Sequence, residues 1–119
     1  MTPTTTLLRS YLLTTALALV LVPVAHAGDA EKGHTLYASR CSFCHGAAGK
    51  GDGPAGMALK PPPTNFTSTE YWKVAKIEAM KDAIANGKPG TSMVAFKSSM
   101  SSEQVDDLIA YLQTLKPAQ

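Results

Sequence analysis

Two cysteines and a histidine lie together in the segment Cys41-Ser42-Phe43-Cys44-His45. If this segment is helical, the two thiols, three residues apart, lie on the same turn. Each thiol can then bond one vinyl group of a porphyrin, and the next residue places an imidazole on its iron. The spacing C-x-x-C-H is the attachment pattern of c-type haem. The sequence therefore predicts one haem c, bound covalently by Cys41 and Cys44, with His45 as an axial ligand of the iron.

Three other kinds of site use the same residue types. A structural disulfide between Cys41 and Cys44 leaves His45 without a role. A thioredoxin-like redox pair requires a βαβ pattern, which the surrounding sequence lacks. A zinc site would have these three residues and at most His34 as ligands, without the second clustered pair that such sites use. Haem is the interpretation that gives all three residues a function.

The first 27 residues have the composition of an export signal. Arg9 is their single charge, an apolar run extends over residues 11–22, and the small-residue triplet Ala25-His26-Ala27 follows. This order predicts a secretory signal peptide that is cleaved after Ala27. An uncleaved membrane anchor is the alternative, but the apolar run is shorter than the ~18–20 residues that span a bilayer.

Cleavage would leave residues 28–119 as one small domain in the periplasm, and c-type haem attachment takes place outside the cytoplasm. This part of the chain contains only 11 Val, Ile and Leu residues but 15 Gly and Pro residues. A domain of this size has a marginal core even with ordinary composition, so a bound group is expected to fill its centre. The net charge of +2 leaves no excess of basic residues for binding nucleic acid.

The elements expected from the sequence are helices separated by long loops. A short amphipathic helix is predicted over residues 29–40, and a loop rich in glycine and proline over residues 46–65. A second helical stretch begins after Ser68 or Thr69 and ends at Gly87, with three apolar residues on one face: Ile77, Met80 and Ile84.

The last helix has the strongest pattern. Ser101 and Gln104 form a predicted capping box, and Met100 with Val105 fits a hydrophobic staple around it. The apolar residues then recur at helical spacing: Val105, Leu108, Ile109, Leu112 and Leu115. No segment alternates with a period of two, so the predicted fold class is all-α.

Residues 28–119 resemble a class I cytochrome c, a small bacterial monohaem protein. The resemblance covers Gly33 and Tyr37 before CSFCHG, the loop GKGDGPAGMALKPPP, the segment GTSMVAF and the closing helix DLIAYLQTL. It implies three to four short helices and long loops wrapped around one covalently attached haem. It also implies that the first and last helices cross near Gly33, Tyr37 and Tyr111.

The sixth ligand of the iron has several candidates. Met80 lies on an apolar helix face, and Met100 belongs to the staple. Met57 is in the loop that is expected on the proximal side of the haem. His34 is expected on a solvated surface. Met93 stands in an extended loop and matches the family's axial methionine. We therefore expect His45 and Met93 as axial ligands, the alternative for Met93 being a half-buried loop residue.

Residues around the ligands are assigned less directly. A ligating imidazole donates its other N–H to an acceptor, and the resemblance implies that this acceptor is the backbone carbonyl of Pro54. Tyr71 and Trp72 are expected either to donate hydrogen bonds to a haem propionate or to pack at the edge of the core.

His/Met ligation predicts a one-electron carrier that is not an enzyme and has no small-molecule substrate. Its partners would be redox proteins, with membranes reached only through partner complexes, and the chain would be a monomer. Four loop lysines are candidates for steering an acidic partner: Lys50, Lys60, Lys88 and Lys97. One alternative is a haem subunit of a larger oxidoreductase. Another is a five-coordinate protein that binds a gas or reduces peroxide.

Overall fold

The computed structural model describes residues 21–22 and 27–118. The predicted signal peptide, residues 1–27, lies almost wholly outside the described residues, so its cleavage stays a prediction. No helix among the described residues has both the length and the apolar character needed to cross a membrane.

The described residues form five α-helices and no strand, which confirms the all-α prediction. The helices are α1 (Ala30–Arg40), α2 (Ser42–His45), α3 (Thr69–Val74), α4 (Ile77–Asn86) and α5 (Ser102–Thr114). A short 3₁₀ turn, Gly56–Ala58, interrupts the long loop between α2 and α3.

Side chains cap the two longest helices. The Asp29 carboxylate accepts hydrogen bonds from the backbone N–H groups of Glu31 and Lys32 at the start of α1. At the start of α5, the Ser101 hydroxyl accepts from the Gln104 N–H, and the Gln104 side chain accepts from the Ser101 N–H. The predicted capping box is confirmed. It satisfies backbone donors that have no partner inside a helix.

Helices α1 and α5 cross at Gly33. A Cβ atom at this position would overlap the Asp107 carbonyl oxygen and lie 2.9 Å from the Cβ of Tyr111. Tyr37 and Tyr111 flank the crossing with ring centroids 5.1 Å apart. The crossing at Gly33, Tyr37 and Tyr111 that the resemblance implied is therefore confirmed, and the missing side chain explains the close approach of the two backbones.

The apolar core lies where α4 and α1 pack against α5. Its buried residues include Tyr37 of α1, Met80 and Ile84 of α4, and four apolar residues of α5: Val105, Leu108, Ile109 and Leu112. Phe66 and Met100 complete it from the loops. The predicted packing roles of Met80 and Met100 are confirmed.

The predicted second helical stretch is two helices instead of one. Ala75 and Lys76 have extended backbone conformations (ψ 132° and 125°), which end α3 and begin α4. The break changes the direction of the chain, so that the apolar face of α4 and the aromatic residues of α3 can both pack on the core. This break and the one-turn helix α2 account for five helices where three to four were expected.

Candidate haem site

The Cys41–His45 segment forms a helical turn. The N–H groups of Cys44 and His45 both donate to the Cys41 carbonyl, at 3.2 and 2.9 Å. The turn follows α1 without a loop, since Cys41 itself ends α1. Cys41, Cys44 and His45 are thus brought together as the spacing predicted, and all three are half-buried.

Both cysteines are free thiols. Burial raises the pKa of the Cys41 thiol to about 11, with a smaller opposing effect from the Arg40 guanidinium. A thioredoxin-like pair needs the opposite shift, because its attacking thiol must ionise near neutral pH. The turn therefore presents two thiols that are not bonded to each other, and the raised pKa of Cys41 does not match a reactive dithiol.

The His45 imidazole is fixed by a backbone carbonyl. Its Nδ1 lies 3.1 Å from the Thr64 carbonyl oxygen. Because a carbonyl can only accept, Nδ1 carries the proton and the lone pair is left on Nε2. Burial lowers the pKa of His45, although the hydrogen bond to Thr64 opposes that shift. A neutral imidazole with a free Nε2 is the form that ligates a metal.

In the structure the carbonyl next to the His45 imidazole is that of Thr64 and not that of Pro54, and the Pro54 assignment stays a prediction. The loop at Gly53 folds against the backbone of α2: its N–H donates to the Cys44 carbonyl at 3.1 Å, and the Ala55 N–H donates to the Phe43 carbonyl at 3.0 Å. Pro54 is exposed on this loop. The chain reaches the imidazole only later, after the proline run at residues 61–63.

Aromatic rings extend from His45. The Phe66 ring stacks on the imidazole with centroids 4.9 Å apart and planes 28° apart. Tyr71 meets Phe66 edge-on at 5.7 Å, and Trp72 meets Tyr71 edge-on at 5.3 Å. Sequence reasoning missed Phe66. One signal was available in the sequence. The loop over residues 46–65 contains no aromatic residue, and Phe66 follows it directly.

Trp72 and Tyr71 differ in their hydrogen bonds. The Trp72 indole N–H donates to the Phe66 carbonyl at 2.6 Å. An indole has a single donor, so this contact favours the packing interpretation of Trp72, and its role as a propionate donor stays a prediction. The half-buried Tyr71 hydroxyl has no hydrogen bond to any described residue, and burial raises its pKa. Its role as a propionate donor stays a prediction.

The candidate axial residues have distinct environments. Met93 is half-buried and packs against the core. Its loop is fixed by hydrogen bonds from the Met93 N–H to the Thr91 hydroxyl and from the Lys88 N–H to the Met93 carbonyl, both 3.1 Å long. Met57 is 78% exposed. His34 is exposed on α1, with its ring 5.0 Å from that of Tyr111.

Two surface grooves lie away from these residues. One, of about 320 Å³, is lined by α3 and the end of the chain, and the other, of about 420 Å³, lies between α4 and α5. Neither groove is lined by Cys41, Cys44, His45 or Met93. The donor chemistry of the turn, and not the shape of these grooves, therefore locates the site.

The residues present fit a haem c. The turn offers two free thiols at the required spacing and one imidazole with a free nitrogen. Half-buried apolar residues also pack against the core of this small domain, among them Ile77, Met93 and Phe96. Apolar surroundings of this kind are what a porphyrin face requires.

Tyr37 connects α1 to this site. Its hydroxyl donates to the carbonyl of Gly46, the residue after His45, at 2.6 Å. We expect Tyr37→Phe to lower the free energy of unfolding by about 1–3 kcal/mol, because it removes the donor of a buried carbonyl. Tyr111→Phe is the matched control, since its hydroxyl has no hydrogen bond to a described residue, and we expect a smaller loss. Denaturant unfolding measures both, and equal losses would contradict the assignment.

The same tyrosine predicts a pH dependence. Burial raises the pKa of Tyr37 above its ordinary value of 10.0. The folded chain then keeps a proton that the unfolded chain releases, so this contribution to stability is complete below pH ~10 and decreases as pH rises further. Unfolding curves between neutral and alkaline pH should show this decrease, and Tyr37→Phe should make it less steep.

Comparison with known proteins gives a consistent result. The family model described as cytochrome c matches residues 30–116. Cytochrome c-554(547) of Halothiobacillus neapolitanus is 31% identical over 94 residues, which cover 76% of this chain and 100% of that protein. A solved structure described as the KustC0563 c-type cytochrome is 27% identical with a TM-score of 0.60, covering 71% of this chain and 98% of that one.

A third relative is much longer. The dihydro-heme d1 dehydrogenase of Pseudomonas aeruginosa is 33% identical over 102 residues, which cover 86% of this chain. This chain spans only 18% of that relative's length. The similarity is therefore to one part of a larger protein.

Proposed function

The chain belongs to the cytochrome c family, whose members carry a covalently bound c-type haem, and from that membership we propose that it is a periplasmic one-electron carrier with His45 and Met93 as axial ligands. The bound haem supplies an iron that takes up and returns a single electron. The observation that supports this proposal most strongly is the His45–Thr64 hydrogen bond, which leaves Nε2 free.

In this proposal Cys41 and Cys44 form the two thioether bonds. Their positions on one turn, directly before His45, mean that the covalent bonds and the axial bond depend on the same short helix. The loop at Gly53 packs closely on that helix. A Cβ at Gly53 would overlap the Phe43 carbonyl oxygen, and a Cβ at Gly56 would overlap that of Cys44. The packing fixes the turn, so His45 needs little rearrangement when the charge of the iron changes.

The proposal assigns Met93 by comparing the environments of the candidates. Met80 and Met100 are buried in the core, and Met57 is 78% exposed. His34 is exposed at the α1–α5 crossing. Met93 combines partial burial with a loop fixed by its own backbone hydrogen bonds. A thioether favours Fe(II), so this ligand would raise the reduction potential relative to a second histidine.

Filled axial positions distinguish an electron carrier from a gas-binding haem protein. With Met93 bound, we expect reversible one-electron oxidation and reduction, and no spectral change when carbon monoxide is added to the reduced protein. Met93→Ala should then bind carbon monoxide, whereas Met57→Ala should behave as the unmodified protein. Rapid carbon monoxide binding by the unmodified protein would favour the five-coordinate alternative.

The proposed partners are inferred from the charge of the protein surface. Lys50, Lys60, Lys88 and Lys97 are all exposed. Exposed lysines attract an acidic redox protein in a salt-dependent manner. We propose redox proteins as donor and acceptor. The second candidate function is a haem subunit within a larger oxidoreductase. Similarity to one part of the dihydro-heme d1 dehydrogenase supports it.

A further inference from the structure

Asparagine occurs at two positions of the chain, and the residues that follow them differ. Asn86 precedes Gly87, whereas Asn65 precedes Phe66. The backbone nitrogen of the next residue can attack an asparagine side chain, because the attack closes a five-membered ring. Glycine leaves that nitrogen unhindered, and its backbone adopts conformations that other residues rarely adopt. Asn86 is therefore the candidate for this reaction.

The structure leaves Asn86 accessible at the end of α4. Asn86 is exposed and is the last residue of the helix, a position where helices fray. Its Nδ2 donates to Oδ1 of Asp82 at 2.7 Å. Both residues line the groove between α4 and α5, so water reaches them. Only the last turn of α4 must open for the Gly87 nitrogen to reach the side-chain carbon of Asn86.

Asn65 is also exposed, but its neighbours hold it in place. Its Oδ1 accepts from the Thr67 N–H at 2.9 Å and from the Thr67 hydroxyl at 2.8 Å. The attacking nitrogen would be that of Phe66, a buried residue whose N–H donates to the Gly49 carbonyl at 2.7 Å. Asn65 is therefore a control for Asn86 within the same molecule.

Three backbone hydrogen bonds, which we call the clasp, hold the Met93 loop on the end of α4. They run from the Phe96 N–H to the Ile84 carbonyl (3.0 Å), from the Lys97 N–H to the Ala85 carbonyl (3.0 Å) and from the Lys88 N–H to the Met93 carbonyl (3.1 Å). Gly87 lies between these bonds with a φ of 74°, and a Cβ there would lie 2.8 Å from the Met93 carbonyl oxygen. The Asn86–Gly87 linkage therefore sets the register between α4 and the loop.

We propose that Asn86 is a self-modification site, at which the Gly87 nitrogen displaces ammonia from the side chain and the resulting isoaspartate opens the clasp. The Gly87 nitrogen gives up its proton and bonds to Cγ of Asn86. The Cγ–Nδ2 bond breaks, and ammonia leaves with that proton. Water then opens the ring on either side to give aspartate or isoaspartate, and no atom changes oxidation state.

The two products have different effects on the main chain. Aspartate leaves it unchanged but places a second carboxylate one turn from Asp82, in the last turn of α4, where negative charge is unfavourable. Isoaspartate adds the same charge and also routes the main chain through Cβ and Cγ, which lengthens it by one carbon inside the clasp. The modification is independent of the proposed function, and only its effect on the iron ligand Met93 rests on that function.

Peptide mapping of the haem-loaded protein by mass spectrometry measures the reaction. During incubation at neutral pH, Asn86 should gain the mass of an amide-to-acid exchange at least about tenfold faster than Asn65. Chromatography should separate an aspartyl form from an isoaspartyl form. A synthetic peptide that covers residues 82–91 gives the rate without the fold. Equal rates at the two asparagines, or an Asn86 that stays intact while the peptide converts, would overturn the inference.

Hydrogen exchange measures the effect on the clasp without involving the iron. The amides of Lys88, Phe96 and Lys97 should exchange at least about tenfold faster in the isoaspartyl form than in the unmodified protein. Asn86→Asp carries the same charge on an ordinary main chain, so it is the matched control and should change these rates less than about threefold. Equal rates in the isoaspartyl form and in Asn86→Asp would contradict the opening of the clasp.

Carbon monoxide binding separates this inference from the proposed function. If Met93 ligates the iron, the reduced isoaspartyl form should bind carbon monoxide at least about tenfold faster than the unmodified protein and Asn86→Asp. Rapid binding by the freshly prepared unmodified protein would contradict the proposed ligation, whereas the peptide map and the exchange rates do not depend on it. Faster amide exchange with no carbon monoxide binding by the isoaspartyl form would overturn the effect on Met93.

Discussion

Replacing Cys41 and Cys44 together by alanine is expected to remove all haem from the protein under denaturing conditions. In the proposed site, the only covalent bonds to the haem are the thioethers from these two residues. Both thiols are free; Cys41 is the N-cap of the one-turn helix that ends at His45, and Cys44 lies within that helix. Unfolding this helix leaves the histidine and methionine ligands with no fixed geometry, so the variant should release its haem completely.

Denaturing gel electrophoresis with a haem stain measures this loss. The unmodified protein and Ser42→Ala should both retain stained haem, because Ser42 lies within the same motif but uses its hydroxyl to donate to the Ala38 carbonyl. Haem that migrates with the double cysteine variant would show that attachment does not use these thiols. The result concerns the bond itself and does not require the variant to transfer electrons.

Replacing Gly33 by valine should have the largest effect on folding, lowering the free energy of unfolding by about 3 kcal/mol or more. A Cβ at this position overlaps the Asp107 carbonyl oxygen, which belongs to the backbone of α5 and cannot rotate away. The two helices must separate, and buried residues on both sides of the crossing lose contact: Tyr37, Leu108 and Leu112.

Thr35→Val is the matched control for that substitution. It places the same side chain on the same helix, at an exposed position, and should change stability by well under 1 kcal/mol. Denaturant unfolding of the haem-loaded proteins gives both values. If the free energy of unfolding of Gly33→Val lies within about 1 kcal/mol of that of the control, the close crossing of α1 and α5 does not require glycine at this position.

Local signals made much of this fold predictable. The capping box at Ser101 and Gln104 involves four consecutive residues, and the apolar spacing of α5 follows from helix geometry alone. The helical turn at Cys41–His45 is equally local. The crossing at Gly33 was expected from resemblance, and the structure adds its physical reason, the contact with the Asp107 carbonyl.

Features that depend on distant residues were not predictable in the same way. The acceptor of His45 lies 19 residues later, at Thr64. Its position depends on the path of a loop rich in glycine and proline, and nothing in the spacing distinguishes one carbonyl of that loop from another. The break at Ala75 and Lys76 is similar, because neither residue is a helix breaker by type. Packing of the flanking helices on the core decides the break.

The central claim is that His45 and Met93 are the two axial ligands of the haem iron. The visible spectrum of the oxidised protein tests this claim most directly. Iron–methionine ligation gives a weak band near the red edge. We predict this band in the unmodified protein and in Met57→Ala, whose side chain is 78% exposed, and its complete loss in Met93→Ala. A band that persists in Met93→Ala, or that the unmodified protein never shows, would contradict the account.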